Sequence, residues 1–198
     1  MGAVRTPREK WVEEGLRVLA ADGPDAVRVE ALAKRLRVTK GGFYGYFADR
    51  NALLDAMLET WERESTDDVI DQVEREGGAP KDQAYRAGML TFSDDRLLPI
   101  DLAVRGWARH DEAVAERLRR VDNRRMELLR GVIGTFCSDP DEVEARSLLA
   151  FCAAIGEHFL AADHPGRSRA DVLARAADLL LDRPQAQSSS PECSERRA

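Results

Sequence analysis

The chain has 198 residues, of which 43% are apolar and 33% are charged, and its formal net charge at pH 7 is −6. This apolar fraction is enough for one or two domains with a hydrophobic core. No run of about 18 apolar residues is present and the N-terminus lacks an apolar signal segment, so we expect a cytoplasmic protein without a membrane partner. The three cysteines show neither regular spacing nor a zinc-ligand pattern, and we predict no metal and no cofactor.

Charge is distributed unevenly along the chain. Residues 1–51 carry ten Lys and Arg against seven Asp and Glu, whereas the remainder carries twenty against twenty-nine. A basic N-terminal part beside an acidic remainder is typical of a protein that meets a polyanion at one end. A solvated helix surface gives the same pattern, and charge alone does not decide between the two.

The N-terminal part has the apolar periodicity of three helices, over residues 7–22, 29–36 and 40–46. The second and third are joined by a tight turn at 37–39. Short helices joined by a three-residue turn form a helix-turn-helix arrangement. We therefore predict that residues 1–50 form a three-helix helix-turn-helix domain.

The helical pattern continues beyond residue 50, and the fold class is predicted to be all-α with about nine helices. Asp49 is a natural N-cap for a fourth helix, which we expect to reach Glu76. Residues 51–183 are expected to form a second helical domain, and 184–198 a disordered tail that is poor in apolar residues. The remaining helices are predicted over 80–92, 98–110, 112–136, 141–163 and 168–182.

In the helix over 98–110, periodicity places Asp101, Arg105 and Arg109 on the polar side, opposite the apolar side. The helix over 141–163 instead carries two adjacent apolar stripes, although a surface helix needs one. The stripes are Leu148, Cys152, Ile155 and Phe159, and Leu149, Ala153, Gly156 and Leu160.

The second of these stripes contains small residues, which favours close packing against another helix. A homodimer in which two helices from each chain form a four-helix bundle would supply it. Burial of both stripes within one chain is the alternative. The residues predicted for the dimer interface are Leu149, Ala153, Gly156, Leu160, Leu173, Ala176 and Leu180.

The stretch RVTKGGFYGYFADR, residues 37–50, mixes glycine, aromatic and basic residues as no other part of the chain does. Two glycines in one short helix cost about 1 kcal/mol each relative to alanine, and close approach to a partner would explain them. The N-terminus of that helix, capped by Thr39, suits a phosphate. Phe43 and Phe47 are expected to anchor the helix in the core. So small a domain cannot also bury Tyr44 and Tyr46, which we expect to reach phosphates.

This part of the chain resembles the helix-turn-helix signature of the TetR (tetracycline-repressor-like) transcriptional regulators, over Trp11 to Leu54. It departs from the family pattern at Arg37, where glycine is usual, and at Tyr46, where histidine is usual. A left-handed backbone at Arg37 would be tolerated at some cost. The residues that carry the resemblance are Leu32, Ala33, Val38, Thr39, Gly41, Phe43, Tyr44, Phe47, Arg50 and Leu53.

The resemblance implies a DNA-binding regulator and not an enzyme: a repressor that binds a pseudo-palindromic operator in double-stranded DNA as a dimer and is released by a small effector. An effector-independent regulator or an activator is the alternative. A ligand-sequestering or enzymatic helical protein is a remote one, since the three histidines lie in no catalytic pattern. The residues predicted to contact DNA are Arg28, Arg37, Thr39, Lys40, Gly41, Gly42, Tyr44, Tyr46 and Arg50.

The resemblance also implies that the effector binds among the middle helices. A pocket rich in Trp, Phe and Met would suit an apolar or aromatic molecule. Each candidate is equally an ordinary core residue. The candidates are Trp61, Met89, Phe92, Trp107, His110, Met126, Phe151 and His158.

Overall fold

The structure is a computed structural model that describes residues 6–92 and 95–181. Within these ranges the chain forms ten α-helices and one 3-10 turn at Pro24–Ala26, with no strand, which confirms the all-α class. No helix in this part of the chain has both the length and the apolar character needed to span a membrane. The tail expected over 184–198 lies outside the described residues. The helices are α1 (Arg8–Asp22), α2 (Val29–Leu36), α3 (Lys40–Phe43), α4 (Arg50–Ser65), α5 (Asp67–Glu76), α6 (Pro80–Phe92), α7 (Leu97–Ala108), α8 (Glu112–Gly134), α9 (Pro140–Gly156) and α10 (Arg169–Leu181).

The helix that was expected to run unbroken to Glu76 is divided into α4 and α5 at Thr66, which accounts for one helix more than predicted. Thr66 has φ −128° and ψ −78°, outside the helical region. Its hydroxyl donates to the Glu62 carbonyl at 2.7 Å, the acceptor that its own amide would use in a continuous helix. The amide donates instead to the Arg63 carbonyl at 3.3 Å. Gly77, with φ 62°, ends α5.

Two other helices, α3 and α9, end three or more residues before the predicted position. α3 stops at Phe43 because the amides of Tyr46 and Phe47 both donate to the Phe43 carbonyl, at 2.9 and 3.1 Å, and close a tight turn. α9 stops at Gly156, whose carbonyl accepts the amides of the two residues at 159 and 160 in the same way. Glycines at 45 and 156 favour both endings because glycine is a weak helix former.

The largest apolar cluster runs without interruption from α1 to α8. Trp11 of α1 and Trp61 of α4 are fully buried in it, and Ile100 of α7 and Val114 of α8 complete its far side. α1 approaches α4 so closely that a Cβ added at Gly15 would lie 2.5 Å from a methionine sulfur of α4. The predicted domain boundary at residue 50 stays a prediction, because the core shows no gap there.

An ion-pair network joins the same elements at the surface. Arg96, just before α7, donates to Glu13 of α1 at 2.6 Å and to Glu64 of α4 at 2.7 Å. The hydrogen bond from Arg96 outweighs partial burial and holds the pKa of Glu13 below its ordinary value. The three helices are therefore held together by polar contacts as well as by the core.

α2 ends in a left-handed residue, Arg37, with φ 57° and ψ 43°. Its amide donates to the Lys34 carbonyl at 3.2 Å and the amide of Val38 donates to the Ala33 carbonyl at 3.0 Å, the pattern of a Schellman motif. Among the described residues other than glycine, Arg37 alone has a positive φ. This ending fixes the angle at which the chain enters α3.

Arg37→Gly is expected to raise the free energy of unfolding by about 1 kcal/mol, because glycine adopts this conformation without the Cβ penalty. Urea denaturation measures the change. Arg37→Ala is the control, since it removes the charge but keeps the Cβ, and it should give no gain. Equal stabilisation by both variants would show that the charge, and not the backbone, carries the cost.

Candidate nucleic-acid interface and central cavity

α3 is anchored by its buried aromatic residue. Phe43 is fully buried, with its ring 5.4 Å from Trp11 edge to face and 5.2 Å from Phe47 in a stacked arrangement. Phe47 is also buried, and the Arg8 guanidinium lies over its ring at 5.2 Å. The structure confirms that Phe43 and Phe47 are the anchors.

The two tyrosines of this segment lie differently. Tyr44 is 59% exposed, with its ring edge to face against Phe43 at 5.2 Å. Tyr46 is half-buried and packs against the main core. The expectation that both extend outward therefore holds in full for Tyr44 only, because the shortened α3 turns Tyr46 back toward the core.

No contact within residues 6–92 and 95–181 requires glycine in α3. A Cβ at Gly41 would meet only the Thr39 hydroxyl at 3.8 Å, and one at Gly42 only the Trp11 ring at 3.9 Å. Neither glycine has a positive φ. Thr39 occupies the N-cap position as predicted, but its side chain makes no capping hydrogen bond, so the first amides of α3 do not receive the expected side-chain acceptor.

Two of the predicted DNA-contacting arginines bind carbonyls of the loop before α2. Arg50 donates to Val27 at 2.6 Å and to Pro24 at 2.5 Å, and it is half-buried. Arg28 is exposed and donates to Asp25 at 3.1 Å. Arg50 thus fastens the start of α4 to this loop, while Arg28 lies at its surface.

Lys40, the first residue of α3, forms an ion pair with Glu30 of α2. Both side chains are more than half exposed. The hydrogen bond from Lys40, with a backbone hydrogen bond and the lysine charge, lowers the pKa of the Glu30 carboxyl from its ordinary value. Glu30 therefore places a negative charge beside Lys40 on the exposed face of the helix-turn-helix.

A cavity of about 490 Å³ lies among α5, α6, α8, α9 and α10, with the end of α4 at its edge. This volume is within the range of small-molecule sites. Met89 and Phe151, two of the predicted effector residues, line it. Its wall is mostly apolar, and α9 and α10 contribute several small residues to it, including Ala153, Ala154, Ala174, Ala176 and Ala177.

The other predicted effector residues do not line this cavity. Trp61 is fully buried in the main core and Trp107 packs against the same cluster. His110 is exposed after α7, and Met126 is buried on another side of α8. His158 is half-buried beside Glu157, at 3.5 Å. The side chain of Phe92 lies outside the described part of the chain.

The residues predicted for the dimer interface fall into two groups. Leu149 and Leu160 are 55% and 56% exposed, and Gly156 is half-buried at the end of α9. Three large apolar side chains that the prediction did not select are also exposed in the same region: Leu148, Phe159 and Leu179. The rest of the predicted set, Ala153, Leu173, Ala176 and Leu180, lines the cavity.

The sequence patterns did not predict a buried ion cluster. It is formed by Asp101, Arg105, Asp122 and Arg125. Asp101 is fully buried, so its predicted position on the polar side of α7 is wrong. It accepts hydrogen bonds from Arg105 at 2.8 Å, from Arg125 at 3.0 Å and from the indole of Trp61 at 3.3 Å. Burial opposes the charged form of Arg105, but Asp122 and Asp101 outweigh it and raise the pKa of Arg105.

Comparison with known proteins places the N-terminal part in a family. Residues 12–57 match the family model of bacterial regulatory proteins, tetR family. A curated relative from Bacillus subtilis (strain 168), the uncharacterized HTH-type transcriptional regulator YuxN, is 31% identical over 86 residues. That match covers 43% of this chain and spans 29% of the length of the relative.

Several solved structures have a similar fold and match most of this chain. A transcriptional regulator from Rhodococcus sp. Rha1 is 20% identical with a TM-score of 0.67, covering 89% of this chain and 94% of its own. A putative regulator from Saccharomonospora viridis in complex with choline is 15% identical with a TM-score of 0.68, covering 87% and 92%. FadR from Bacillus subtilis, in complex with stearoyl-CoA, is 14% identical with a TM-score of 0.64, covering 90% and 100%. Residues 12–57 are therefore similar to the bacterial regulatory proteins of the tetR family, and most of the chain shares its fold with these solved structures.

Proposed function

We propose that the chain is a transcriptional repressor that binds a pseudo-palindromic operator as a homodimer and leaves it when a small apolar or aromatic molecule occupies the cavity. The observation that carries the proposal is the surface of α3. Lys40 and Tyr44 extend from it between glycines that the packing of the chain does not require. A bare, basic helix end of this kind suits close approach to a DNA groove.

The proposed roles of the interface residues follow their positions. Lys40 reaches a base edge, and Tyr44 donates its hydroxyl to a phosphate. Arg28 and Arg37, both exposed, add positive charge beside the backbone. Residues 1–50 serve DNA binding and 51–183 effector binding and dimerisation, within the cytoplasm.

The proposed dimer uses the outer face of α9 and the end of α10. Five large apolar side chains there are each more than half exposed in the single chain, namely Leu148, Leu149, Phe159, Leu160 and Leu179. An apolar patch of this kind marks an interaction surface. A second copy would cover it by the pairing of two helices from each chain.

The cavity supports the effector role, but the relatives do not supply its ligand. Regulators of the same fold are in complex with choline and with stearoyl-CoA, which are unlike each other in charge and size. The ligand of this chain must therefore be inferred from its own cavity wall.

Selection from genomic DNA fragments, followed by titration of the enriched fragment, tests the proposal. We expect a pseudo-palindromic fragment bound by two chains, with an affinity that falls steeply with salt. Lys40→Ala should lose about 1–3 kcal/mol of discrimination at one base position. Tyr44→Phe, which removes only a hydroxyl, should weaken all fragments by about 1 kcal/mol. Enrichment of no fragment would refute the proposal, and binding that no effector relieves would favour the effector-independent alternative.

Glu30→Gln is expected to increase binding to non-operator DNA, because it releases Lys40 from its ion pair and removes a negative charge from the interface. The gain should shrink as salt increases, and affinity for the operator should rise less than affinity for random duplexes. Glu144→Gln, which breaks an exposed ion pair with Arg130 in α8, is the matched control. An equal rise in non-specific binding for both variants would show that only net charge matters.

A further inference from the structure

We propose that the buried end of the cavity accepts the uncharged hydrogen-bonding oxygen of an otherwise apolar effector, such as an alcohol, ketone, ester or amide, and that the Ser65 hydroxyl is its partner. This inference rests on the proposed function in taking the cavity as the effector site. It goes further by naming the chemical class of the ligand and the residue that selects it.

The first argument is the state of Ser65. Ser65, the last residue of α4, is one of the residues that line the cavity, and it is only 1% exposed. Its hydroxyl oxygen is buried, and no residue in the described part of the chain forms a hydrogen bond with it. Buried polar groups are nearly always paired, since leaving one unpaired costs free energy. A hydroxyl in this position on a cavity wall is ready to donate to a ligand oxygen or to accept from a ligand hydroxyl.

The second argument concerns charge at this end of the cavity. The guanidinium of Arg125, which also lines the cavity, lies beside Ser65, with its Nε 3.4 Å from the Ser65 carbonyl oxygen. It belongs to the buried ion cluster, in which two carboxylates face two guanidinium groups. Arg125 is committed to Asp101 at 3.0 Å. A ligand carboxylate here would lose its hydration and would find no cation whose charge is not already balanced. Burial of a neutral oxygen costs much less desolvation free energy.

The third argument concerns the other two arginines of the cavity lining. Arg124 and Arg169 are the remaining cations there that could meet an anionic ligand. Arg169 donates three hydrogen bonds to carbonyls after α9, at 2.8, 2.8 and 3.0 Å, and Arg124 pairs with Glu127 at 3.2 Å. The Glu157 carboxyl also lines the cavity. Existing partners and the negative charge of Glu157 thus disfavour an anion beside these arginines as well.

The body of the ligand follows from the remaining wall. Apart from these polar residues, the cavity is lined mainly by aliphatic and small residues, among them Val69, Ile70, Leu128, Leu173 and Ala177. A flexible alkyl chain or a compact ring system buries apolar area against such a wall without requiring further polar contacts.

Equilibrium dialysis of the full-length protein against octanol, octanoate and octane, which share one alkyl chain length, tests the inference. Octanol should bind at least about tenfold more tightly than octanoate, because the carboxylate has no free cation to pair with. Ser65→Ala should weaken octanol about threefold to tenfold, the worth of one hydrogen bond, and should leave octane unweakened. The variant removes an unpaired hydroxyl, so we expect it to fold as stably as the natural chain.

Ser147→Ala is the matched control. Ser147 is a fully buried serine of α9 that does not line the cavity, and its hydroxyl donates to the Val143 carbonyl at 2.7 Å. This variant should leave the affinity for octanol unchanged.

Three results would overturn the inference. They are binding of octanoate as tight as that of octanol, weakening of octane together with octanol in Ser65→Ala, and binding of none of the three probes. Dialysis involves no DNA, so these results are independent of the operator titration. Failure of operator binding with normal octanol binding would refute the proposed function alone, and the reverse would refute this inference alone.

Discussion

Asp101→Asn is expected to lower the free energy of unfolding by about 3–5 kcal/mol, because it removes one charge from a buried, paired set. Asparagine has nearly the same shape, so packing is retained. Arg105 and Arg125 would then share the single carboxylate of Asp122. Urea denaturation followed by tryptophan fluorescence measures the change, and Trp61, which donates to Asp101, reports on the site.

Glu144→Gln provides the comparison, since it removes one carboxylate from an ion pair at the protein surface. Arg130 donates to Glu144 at 2.6 and 2.9 Å, but both side chains are solvent-accessible and water screens the pair. This variant should unfold at the same urea concentration as the natural chain. If Asp101→Asn unfolded there too, the buried ion cluster would not contribute to stability as the structure indicates.

Phe43→Ala is expected to cost about 3–5 kcal/mol of stability, the loss typical of a fully buried phenylalanine. Its ring lies 5.2–5.4 Å from the rings of Trp11, Tyr44 and Phe47, and all three would border the new cavity. The short α3 has few other anchors, so DNA binding should be lost with it. Urea denaturation and the operator titration measure the two effects separately.

Tyr44→Ala is the neighbouring control, because Tyr44 is largely exposed and contacts the core through one edge only. It should lower stability by about 1 kcal/mol or less and still weaken DNA binding strongly. Similar losses of stability in the two variants would mean that Tyr44, and not Phe43 alone, anchors α3.

The sequence predicts the helices well where one periodic apolar face meets clear end signals. α2 begins and ends at the predicted residues, and Asp49 caps α4 by accepting the Ala52 amide at 2.9 Å. The predicted boundaries are wrong where a local hydrogen bond replaces a helical one, as at Thr66. They are also wrong where one carbonyl accepts hydrogen bonds from two amides, as at Phe43 and Gly156. Such bonds depend on backbone angles that periodicity does not encode.

The cavity and the buried ion cluster were beyond sequence reasoning for a different reason. Asp101 appears polar and exposed in its own helix, and its burial depends on Arg125, which lies 24 residues further along the chain. Trp61 and Trp107 were predicted to line the effector pocket because they are large and aromatic, but they pack in the main core instead. Space for a ligand arises where α9 and α10 present alanine, and in sequence a small residue gives no sign of the space beside it.

The uninterrupted core from α1 to α8 has a consequence for how the protein melts. Because Trp11 and Trp61 are buried in the same cluster, unfolding of the helices proposed to contact DNA would expose the rest of the cluster to water. Heating should therefore give one cooperative transition for residues on both sides of position 50. A fragment that ended at that position would leave its apolar side in water and should not fold alone, so the helices proposed to contact DNA depend on the later helices for their folded shape.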